Sequence, residues 1–348
     1  MNIATILTNW FRDNSRCLPW KTDHDPYKIW VSEILLQQTR VEQAKPYYEL
    51  FIAQFPTIAD LAAAPLDQVL RLWQGLGYYR RAQNMHTAAQ QVMETFGGRF
   101  PTTSQELALL KGVGNYTAAA VAAFAFNEPV VALDGNAFRI FSRLFAQSCP
   151  IDTPTGRILF LKLAQEAMGA TPSSLFNQAL MDFGSVICTP KPKCSLCPLT
   201  SHCMAYSLGD TGGFPVKRPK KTPRIRYFYY LHLVLGADTF IQQRTARDIW
   251  HNLWQFPLIE TDRPIAPAAL AELPEWQTIF QGDQTCITGW SNQYRHRLTH
   301  QLIHAFFISV SLDAVTPWIR EHTLQIEMEQ IDQYGISRLT ERYLLNKP

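Results

Sequence analysis

The sequence lacks long hydrophobic runs, a leader-like N-terminus and an excess of either charge. Its 348 residues contain no window of ~18 uninterrupted apolar residues, so we expect a soluble protein that does not associate with membranes. Residues 1–14 show no basic segment or small-residue cleavage site, which predicts a cytoplasmic protein with reduced thiols. The net charge of +3 does not by itself predict nucleic-acid binding.

What the sequence does contain is a cluster of cysteines. Four of them lie within sixteen residues: Cys188, Cys194, Cys197 and Cys203. Thiolates select zinc or iron-sulfur clusters, and structural zinc sites usually have two short ligand pairs separated by a longer stretch. Here one Cys-x-x-Cys is flanked on each side by a cysteine after a five-residue gap, which favours a 4Fe-4S cluster over zinc. Prolines in the segment indicate a loop, which disfavours buried unligated cysteines, and the distant Cys17, Cys149 and Cys286 are interpreted as ordinary residues.

A basic segment at residues 210–226 divides the chain by composition. It carries three prolines and six basic residues, Lys217, Arg218, Lys220, Lys221, Arg224 and Arg226. This composition predicts an extended linker, either a solvated tether or a phosphate contact. Apolar residues recur at helical spacing before it, and aromatic, β-branched runs of strand length follow it. We therefore predict a helical domain at 1–208, a linker at 209–226 and an α+β domain at 227–348.

Residues 104–125 have the pattern of a helical hairpin, with a Gly-Val-Gly turn between two helices. Gly112 and Gly114 permit close backbone approach, and the free amides that begin the second helix suit a phosphate group. The same Gly-x-Gly is also compatible with any helix-helix turn. Asp134, twenty residues beyond Gly114, opens another amphipathic segment, where it suits both a helix N-cap and a functional carboxylate.

The order of these features resembles the endonuclease III superfamily of helix-hairpin-helix DNA glycosylases, and within it the MutY family. The match runs through LPW (18–20), PYKIWVSEILLQQT (26–39), WQGLGYYRRAQNM (73–85), LKGVGNYTA (110–118), LDGN (133–136) and the cysteines, then more weakly to residue 309. It implies an all-α helix-hairpin-helix core with an iron-sulfur loop, followed by an α+β Nudix-like domain. It also implies a monomeric, nucleoid-associated bacterial enzyme. This enzyme would remove adenine opposite 8-oxoguanine or G in double-stranded DNA during base excision repair.

One position distinguishes the branches of this superfamily. Bifunctional members carry a lysine just after the hairpin, whose amine forms a Schiff base and leads to strand cleavage. Tyr116 occupies that position here, so strong lyase activity is not expected. The resemblance places Tyr116 beside the target nucleotide, and the alternative is a tyrosine packed between helices.

Glu33 is the predicted general acid. It lies in an apolar helical stretch with Trp30, Ile34 and Leu35, and this setting should raise its pKa toward neutrality. The resemblance implies that Glu33 protonates N7 of adenine and then activates water. It implies that Asp134, oriented by Asn136, stays ionised and stabilises the sugar cation or bonds to it transiently. The alternative for Glu33 is a buried structural carboxylate.

Reaching a paired adenine requires flipping it from the duplex, which costs a few kcal/mol of stacking and pairing. Gln37, Gln38 and Thr39 resemble the polar wedge of the family, and Tyr78 resembles its intercalating aromatic. Arg16 and Trp20 lie where the family lines its base pocket. Trp20 and Tyr78 would also pass as core aromatics in any protein.

The resemblance implies that the C-terminal part reads 8-oxoguanine on the opposite strand. It lacks the Arg-Glu and paired glutamates that hold magnesium in hydrolytic Nudix proteins, so we expect binding without hydrolysis. The family's recognition loop is usually Phe-Ser-His, and here the chain has Leu298, Thr299 and His300. The first cysteine gap is also five residues instead of the usual six. A 4Fe-4S cluster is still expected, shaping a loop that directs Lys191 and Lys193 toward phosphate.

Two other functions remain open from the sequence. One is excision of oxidised pyrimidines with strand cleavage, which Tyr116 and the added C-terminal domain disfavour. The other is a non-catalytic lesion-binding protein in which Glu33 and Asp134 are structural.

Overall fold

The chain folds into two compact units. The computed structural model describes residues 2–21, 23–219, 222–281 and 286–346. The N-terminal unit comprises Met1–Ala63 and Asn84–Pro219, and the C-terminal unit comprises Ala64–Gln83 and Lys220–Pro348. The sequence-based division assigned residues 64–83 to the helical domain, whereas the structure groups them with the C-terminal unit. No helix within the described ranges has the length and apolar character needed to cross a membrane.

Helices dominate the chain before residue 208. In chain order they are α1 Ile3–Asn14, α2 Pro26–Leu36, α3 Val41–Gln54, α4 Ile58–Ala63, α5 Leu66–Leu72, α6 Arg80–Phe96, α7 Ser104–Leu107, α8 Asn115–Phe126, α9 Gly135–Leu144, α10 Pro154–Met168, α11 Ser173–Val186 and α12 Met204–Ser207. Their starts follow ordinary capping chemistry. Asp25 accepts the Tyr27 N–H at the start of α2, and Pro26 supplies a fixed φ where no intrahelical donor is needed.

One hydrophobic core of the N-terminal unit forms between α1, α9, α10 and α11. Their apolar stripes bring together Leu7, Phe141, Phe160, Phe176 and Phe183, all nearly inaccessible to solvent. Burying aromatic rings of this size gives the largest apolar contribution available to a helical domain. This core fixes α9 and α11, which carry Asp134 and Asp182 into the site described below.

The hairpin between α7 and α8 confirms the predicted helix, turn and helix. Gly112 has φ +76°, and a Cβ there would lie 2.6 Å from Cβ of Asn84, so only glycine fits this turn. Gly114 is the N-cap of α8, with φ −87° and no side-chain cap. A Cβ on Gly114 would meet no atom of the described chain within 4 Å, so internal packing does not require glycine there.

The predicted linker is largely tied to the N-terminal unit. The Val216 carbonyl accepts the Ile151 N–H at 3.1 Å, and the Arg218 side chain donates to the Asp152 carboxylate and carbonyl at 3.4 and 2.9 Å. Lys220 and Lys221 lie outside the described residues. A first strand, β1 Arg224–Leu235, begins three residues earlier than predicted.

Arg226 is a correction to the prediction of an exposed basic segment. Its side chain is 8% exposed and pairs with Glu260 at 2.6 Å and Asp248 at 2.8 Å. The two carboxylates satisfy the guanidinium inside the C-terminal unit, so this arginine does not offer its charge to an outside phosphate.

A mixed sheet organises the C-terminal unit. Its strands after β1 are β2 Asp238–Gln243, β3 Trp254–Gln255, β4 Leu258–Thr261, β5 Cys286–Trp290, β6 Tyr294–Arg297, β7 Gln301–Ser311 and β8 Leu324–Glu327. The order is β3-β2-β1-β7-β5, with β4 also paired to β1, β6 to β7 and β8 to β2. β1 and β7 run parallel from Arg224↔Gln301 to Val234↔Ser311, and the other pairs are antiparallel.

Both faces of this sheet are covered, which explains why β1 reads as a continuous apolar run. The remaining helices are α13 Pro267–Leu270, α14 Pro274–Phe280, α15 Pro317–His322 and α16 Arg338–Leu345. Tyr229 and Leu231 pack in one core with Trp276 of α14, while Phe228 and Tyr230 pack in the other with Tyr343 of α16. Alternate residues of β1 therefore enter opposite cores.

Candidate active site and metal centre

A cavity of about 530 Å³ opens in the N-terminal unit, and it is lined by most of the predicted site residues of that unit. Those on its wall are Arg16, Trp20, Glu33, Gln37, Gln38, Thr39, Tyr116, Asp134 and Asn136. The structure thus brings together residues that are up to 120 positions apart, from 16 to 136. The volume lies in the range of small-ligand pockets.

Glu33 lies on α2, is 5% exposed, and accepts a hydrogen bond from the Tyr116 hydroxyl at 2.7 Å. Burial raises the pKa of Glu33 to about 7, and the nearby charge of Asp134 adds to this, while the Tyr116 hydrogen bond opposes it. The predicted shift toward neutrality is confirmed. Burial and the neighbouring carboxylates raise the pKa of Tyr116 well above its ordinary value, so this hydroxyl stays a donor.

Asp134 is the N-cap of α9. One carboxylate oxygen accepts the Ala137 N–H at 2.7 Å, and the other accepts the Asn136 amide at 2.6 Å. Burial raises the pKa of Asp134, and these two hydrogen bonds and the positive charge of Arg139 oppose the rise. The capping role and the functional role proposed from the sequence are therefore compatible, because the carboxylate caps the helix while lining the cavity.

Asn136 connects Asp134 to the cysteine loop through Arg139. The Arg139 guanidinium donates to the Asn136 side-chain oxygen at 2.7 Å, to the Gly184 carbonyl at 2.8 Å and to the Cys188 carbonyl at 2.7 Å. The Asn136 amide is thereby fixed with its nitrogen toward Asp134. Two of these acceptors belong to the end of α11 and the loop that follows it.

The sequence-based prediction missed an ion pair on the cavity wall, formed by Lys21 and Asp182. The Asp182 carboxylate, 0% exposed, accepts the Arg16 N–H at 2.9 Å and Nε at 2.8 Å, and Lys21 Nζ at 2.5 Å. Burial lowers the pKa of Lys21, and Asp182 opposes this. A signal was present, since Asp182 is an acidic residue between the apolar Met181 and Phe183 in the sequence of α11, but nothing in the sequence linked it to Lys21.

The predicted polar wedge follows α2 at the mouth of the cavity. Gln37 ends the helix and donates to the Thr117 hydroxyl at 3.1 Å. Gln38 is exposed and has φ +59°, a left-handed conformation that non-glycine residues rarely adopt. Such strain persists only where the surroundings hold it and is concentrated at functional sites.

The four clustered cysteines line a second, much smaller cavity of about 30 Å³ in the N-terminal unit. Arg143, 3% exposed, holds this loop by donating to the Thr189 and Pro190 carbonyls at 2.7 and 3.0 Å. Burial raises the pKa of the Cys188 thiol, and Arg143 beside it opposes the rise. Among the residues that the structure describes, no three His, Cys, Asp or Glu side chains are grouped closely enough to hold a single metal ion.

The predicted recognition loop is the turn between β6 and β7 in the C-terminal unit. The Leu298 N–H donates to the Gln301 carbonyl at 2.8 Å. Leu298 packs against the core around Phe228 and Tyr230, while Thr299 and His300 are exposed. The leucine that departs from the family pattern thus anchors the turn from inside. Tyr78 belongs to the same unit, and its hydroxyl lies 3.4 Å from the Thr299 hydroxyl.

Comparison with known proteins places this chain in a family. Residues 31–155 match the model of the helix-hairpin-helix superfamily of base excision DNA repair proteins, and residues 229–346 match the NUDIX domain model. The chain is 38% identical over 263 residues to an adenine DNA glycosylase of Buchnera aphidicola subsp. Schizaphis graminum, covering 74% of this chain and 75% of that protein. The chain belongs to the adenine DNA glycosylase (MutY) family. The membership confirms the expectation of an enzyme of the DNA N-glycosylase class.

Other members of the adenine DNA glycosylase family extend the match. One from Buchnera aphidicola subsp. Acyrthosiphon pisum is 30% identical over 99% of this chain and 97% of its own length. The mouse protein of this name is 40% identical over 78% of this chain and 63% of its own length. The predicted resemblance to this family is therefore confirmed, and it covers both units.

Solved structures agree on the fold of the helical part. A thermostable thymine-DNA glycosylase has a TM-score of 0.55 and 29% identity, covering 59% of this chain and 95% of that one. An endonuclease III bound to DNA has a TM-score of 0.51 at 23% identity, which supports the fold alone. The predicted helix-hairpin-helix core followed by a Nudix-like domain is confirmed.

Proposed function

We propose that this protein excises adenine mispaired with 8-oxoguanine, and with G, from double-stranded DNA, without cleaving the strand. The observation that carries the proposal is the pairing, in one cavity, of a carboxyl group with a pKa of about 7 and a second carboxylate held by hydrogen bonds, Glu33 and Asp134. A carboxyl group that can give a proton, in one cavity with a carboxylate held by hydrogen bonds, suits the cleavage of a glycosidic bond.

The proposed reaction begins with adenine flipped into the cavity. Protonated Glu33 gives its proton to N7, the N9–C1′ bond breaks, and its electron pair leaves with neutral adenine. Asp134 stabilises the positive charge that develops on the sugar. The Glu33 carboxylate then takes a proton from water as the oxygen bonds to C1′, which leaves an abasic site and reprotonates Glu33. Tyr116 Oη holds the Glu33 carboxyl in place at 2.7 Å.

The side chains that line the same cavity around Asp182 are proposed to contact the base itself. Arg16 and Lys21 converge on Asp182, and Trp20 is buried with an edge contact to Tyr48. These groups offer donors, an acceptor and an apolar ring around a planar heterocycle. Gln38 and Thr39 at the mouth, and Tyr78 with Thr299 and His300 in the C-terminal unit, are proposed to fill the stack and to read the opposite base.

DNA backbone contacts are proposed at the hairpin and the cysteine loop. The first amides of α8 follow Gly114, where a side chain would project into open space next to an approaching phosphate. Lys191 and Lys193 are exposed in the loop between Cys188 and Cys194. We propose that the four cysteines hold a 4Fe-4S cluster, which when bound would fix the shape of this loop.

Single-turnover excision on matched duplexes tests the proposal. Adenine should be released opposite 8-oxoguanine and opposite G but not opposite T, and strands should break only after alkali. Breakage without alkali would indicate lyase chemistry instead. No adenine release from a cluster-loaded preparation would overturn the proposal and direct the search to oxidised pyrimidines, then to binding alone.

The excision rate should fall as pH rises through about 7, because Glu33 must be protonated to act and its pKa is raised to about 7. Above that value the single-turnover rate should drop about tenfold per pH unit. Rates measured between pH 5.5 and 9 on the 8-oxoguanine mispair check this. A rate that stays constant from pH 6 to 9 would exclude Glu33 as the proton donor.

Removing the cluster should weaken DNA binding by roughly tenfold or more, because Lys191 and Lys193 would lose their fixed positions and phosphate contacts dominate such affinity. Cys197→Ser protein and chelator-treated protein should both show the loss in fluorescence anisotropy with duplex DNA at fixed salt. Cys286→Ser, at an exposed cysteine of the other unit, serves as the control. Unchanged affinity in iron-free protein would contradict the proposed role.

A further inference from the structure

Tyr78 combines two features that rarely occur together in an aromatic residue. It has φ +50°, in the left-handed region, and its side chain is 47% exposed. Its neighbours in the same turn, Trp73 and Tyr79, are 0% and 3% exposed. A bulky residue in this backbone conformation persists only where its surroundings hold it.

The contacts that hold this turn converge on Gly77 and Tyr78. Trp73 Nε1 donates to the Gly77 carbonyl at 3.1 Å, and Arg81 Nη2 donates to the same oxygen at 3.3 Å. The Arg81 backbone N–H donates to the Tyr78 carbonyl at 2.8 Å. Gly77 itself has φ +72°, so the chain reverses here without strain before it enters Tyr78.

Arg81 also contacts both aromatic rings. Its guanidinium carbon lies 5.1 Å from the centroid of the buried Trp73 ring and 5.6 Å from the centroid of the exposed Tyr78 ring. Both distances lie within the range of cation–π attraction. The guanidinium therefore contacts a buried ring and an exposed ring at once, while its Nη2 donates to the Gly77 carbonyl.

We propose that Arg81 is a positioning residue that presents Tyr78 to the base stack. Through its contacts with Trp73 and Gly77, Arg81 fixes the Tyr78 ring before DNA arrives and keeps the hydroxyl within 3.4 Å of Thr299. A wedge ordered in advance loses less conformational freedom on binding. The inference rests on the proposed role of Tyr78 as the intercalating residue, and it adds a residue that does not itself contact the mispair.

The test compares Arg81→Met, which keeps the side-chain bulk, with Arg80→Met, which removes the same charge from the neighbouring exposed position. Excision of A opposite 8-oxoguanine is measured at single turnover, and 2-aminopurine beside the 8-oxoguanine reports unstacking on binding. Arg81→Met should slow excision about tenfold and remove most of the fluorescence rise. Arg80→Met should stay within about twofold in rate. Arg81→Lys keeps the charge but not the planar guanidinium, so its excision rate should lie between those of Arg81→Met and the parent. It replaces Arg81→Met in the test if the methionine variant does not fold.

Tyr78→Ala and the double variant with Arg81→Met separate the possible failures. If Arg81 acts through Tyr78, the double variant should be no slower than Tyr78→Ala alone, because there is no ring left to position. Effects that multiply would overturn the positioning role. If Tyr78→Ala excises slowly while Arg81→Met excises as fast as Arg80→Met, this inference is refuted and the proposed wedge role of Tyr78 stands. Normal unstacking by Tyr78→Ala would refute the wedge itself.

Discussion

Replacing Glu33 with glutamine is expected to slow adenine excision by about three orders of magnitude, within the range that general acid catalysis supplies. Glutamine has nearly the same shape and its oxygen can still accept the Tyr116 hydroxyl, which now lies 2.7 Å from the carboxylate. Its amide cannot release a proton to N7 or take one from water. Single-turnover rates with the 8-oxoguanine mispair measure the effect on catalysis, and affinity for an uncleavable duplex measures the effect on DNA binding.

The matched control for this substitution is Glu42→Gln, at an exposed glutamate in the first turn of α3. It removes the same charge at a residue that does not line the cavity and should leave excision within about twofold. Duplex affinity should be preserved in both variants. Normal excision by Glu33→Gln would mean that the assignment of the acid is incorrect, and that Glu33 is a structural carboxylate.

Stability distinguishes lost chemistry from a lost fold in Glu33→Gln. Because the folded-state pKa of Glu33 is raised from 4.5 to about 7, the protonated carboxyl favours the folded state, and this contribution is lost as pH rises through that interval. At pH 8 the ionised carboxylate then opposes folding by up to about 3 kcal/mol relative to a neutral side chain. The variant should therefore resist urea at least as well as the parent at pH 8, while being far less active.

Glu33 could be predicted from the sequence because its environment is local. Most of the residues around it in α2 are apolar and buried, so the sequence of residues 29–36 already indicated a buried setting and hence the direction of its pKa shift. The N-cap role of Asp134 could also be predicted from the sequence, because a helix begins at the next residue and aspartate is a favoured N-cap. The fold class followed from the change in hydrophobic period across residues 210–226.

Lys21 and Asp182 could not be paired from the sequence because 161 positions separate them. No helical or strand period connects two residues whose contact depends on the packing of α11 against the N-terminal segment. Arg226 shows the same limit in another form. Its basic neighbours predict an exposed tether, and only the acids at 248 and 260, brought close by the fold of the C-terminal unit, reveal a buried ion pair.

The placement of residues 64–83 also depends on distant contacts. Tyr79 donates its hydroxyl to the Ile336 carbonyl at 3.0 Å, and a Cβ on Gly335 would lie 3.1 Å from Leu70 Cβ. Helical spacing in this segment resembles that of its sequence neighbours, so composition alone assigned it to the helical domain. As a result, Tyr78 and Thr299, which are both proposed to contact the mispair, lie in the same unit.

Asp134→Asn is expected to reduce excision by about two to three orders of magnitude, because the developing charge on the sugar loses its stabilising carboxylate. The fold should survive, because asparagine is also a good N-cap and can accept the Ala137 N–H. Its amide nitrogen would replace the oxygen that now accepts Asn136 at 2.6 Å, which should cost about 1 kcal/mol of stability. Asp25→Asn, at the N-cap of α2, is the matched control and should excise adenine within about twofold of the parent.

A substrate analogue separates the two carboxylates by role. A base that leaves the sugar without protonation at N7 no longer needs an acid but still generates a positively charged sugar. Release of such a base should recover in Glu33→Gln, since cleavage of the glycosidic bond then no longer needs the proton that Glu33 supplies, and it should remain slow in Asp134→Asn. If both variants recovered, or neither did, the two residues would not divide acid catalysis and charge stabilisation between them, and the chemistry would have to be shared between the two hydrogen-bonded pairs, Tyr116 with Glu33 and Asn136 with Asp134.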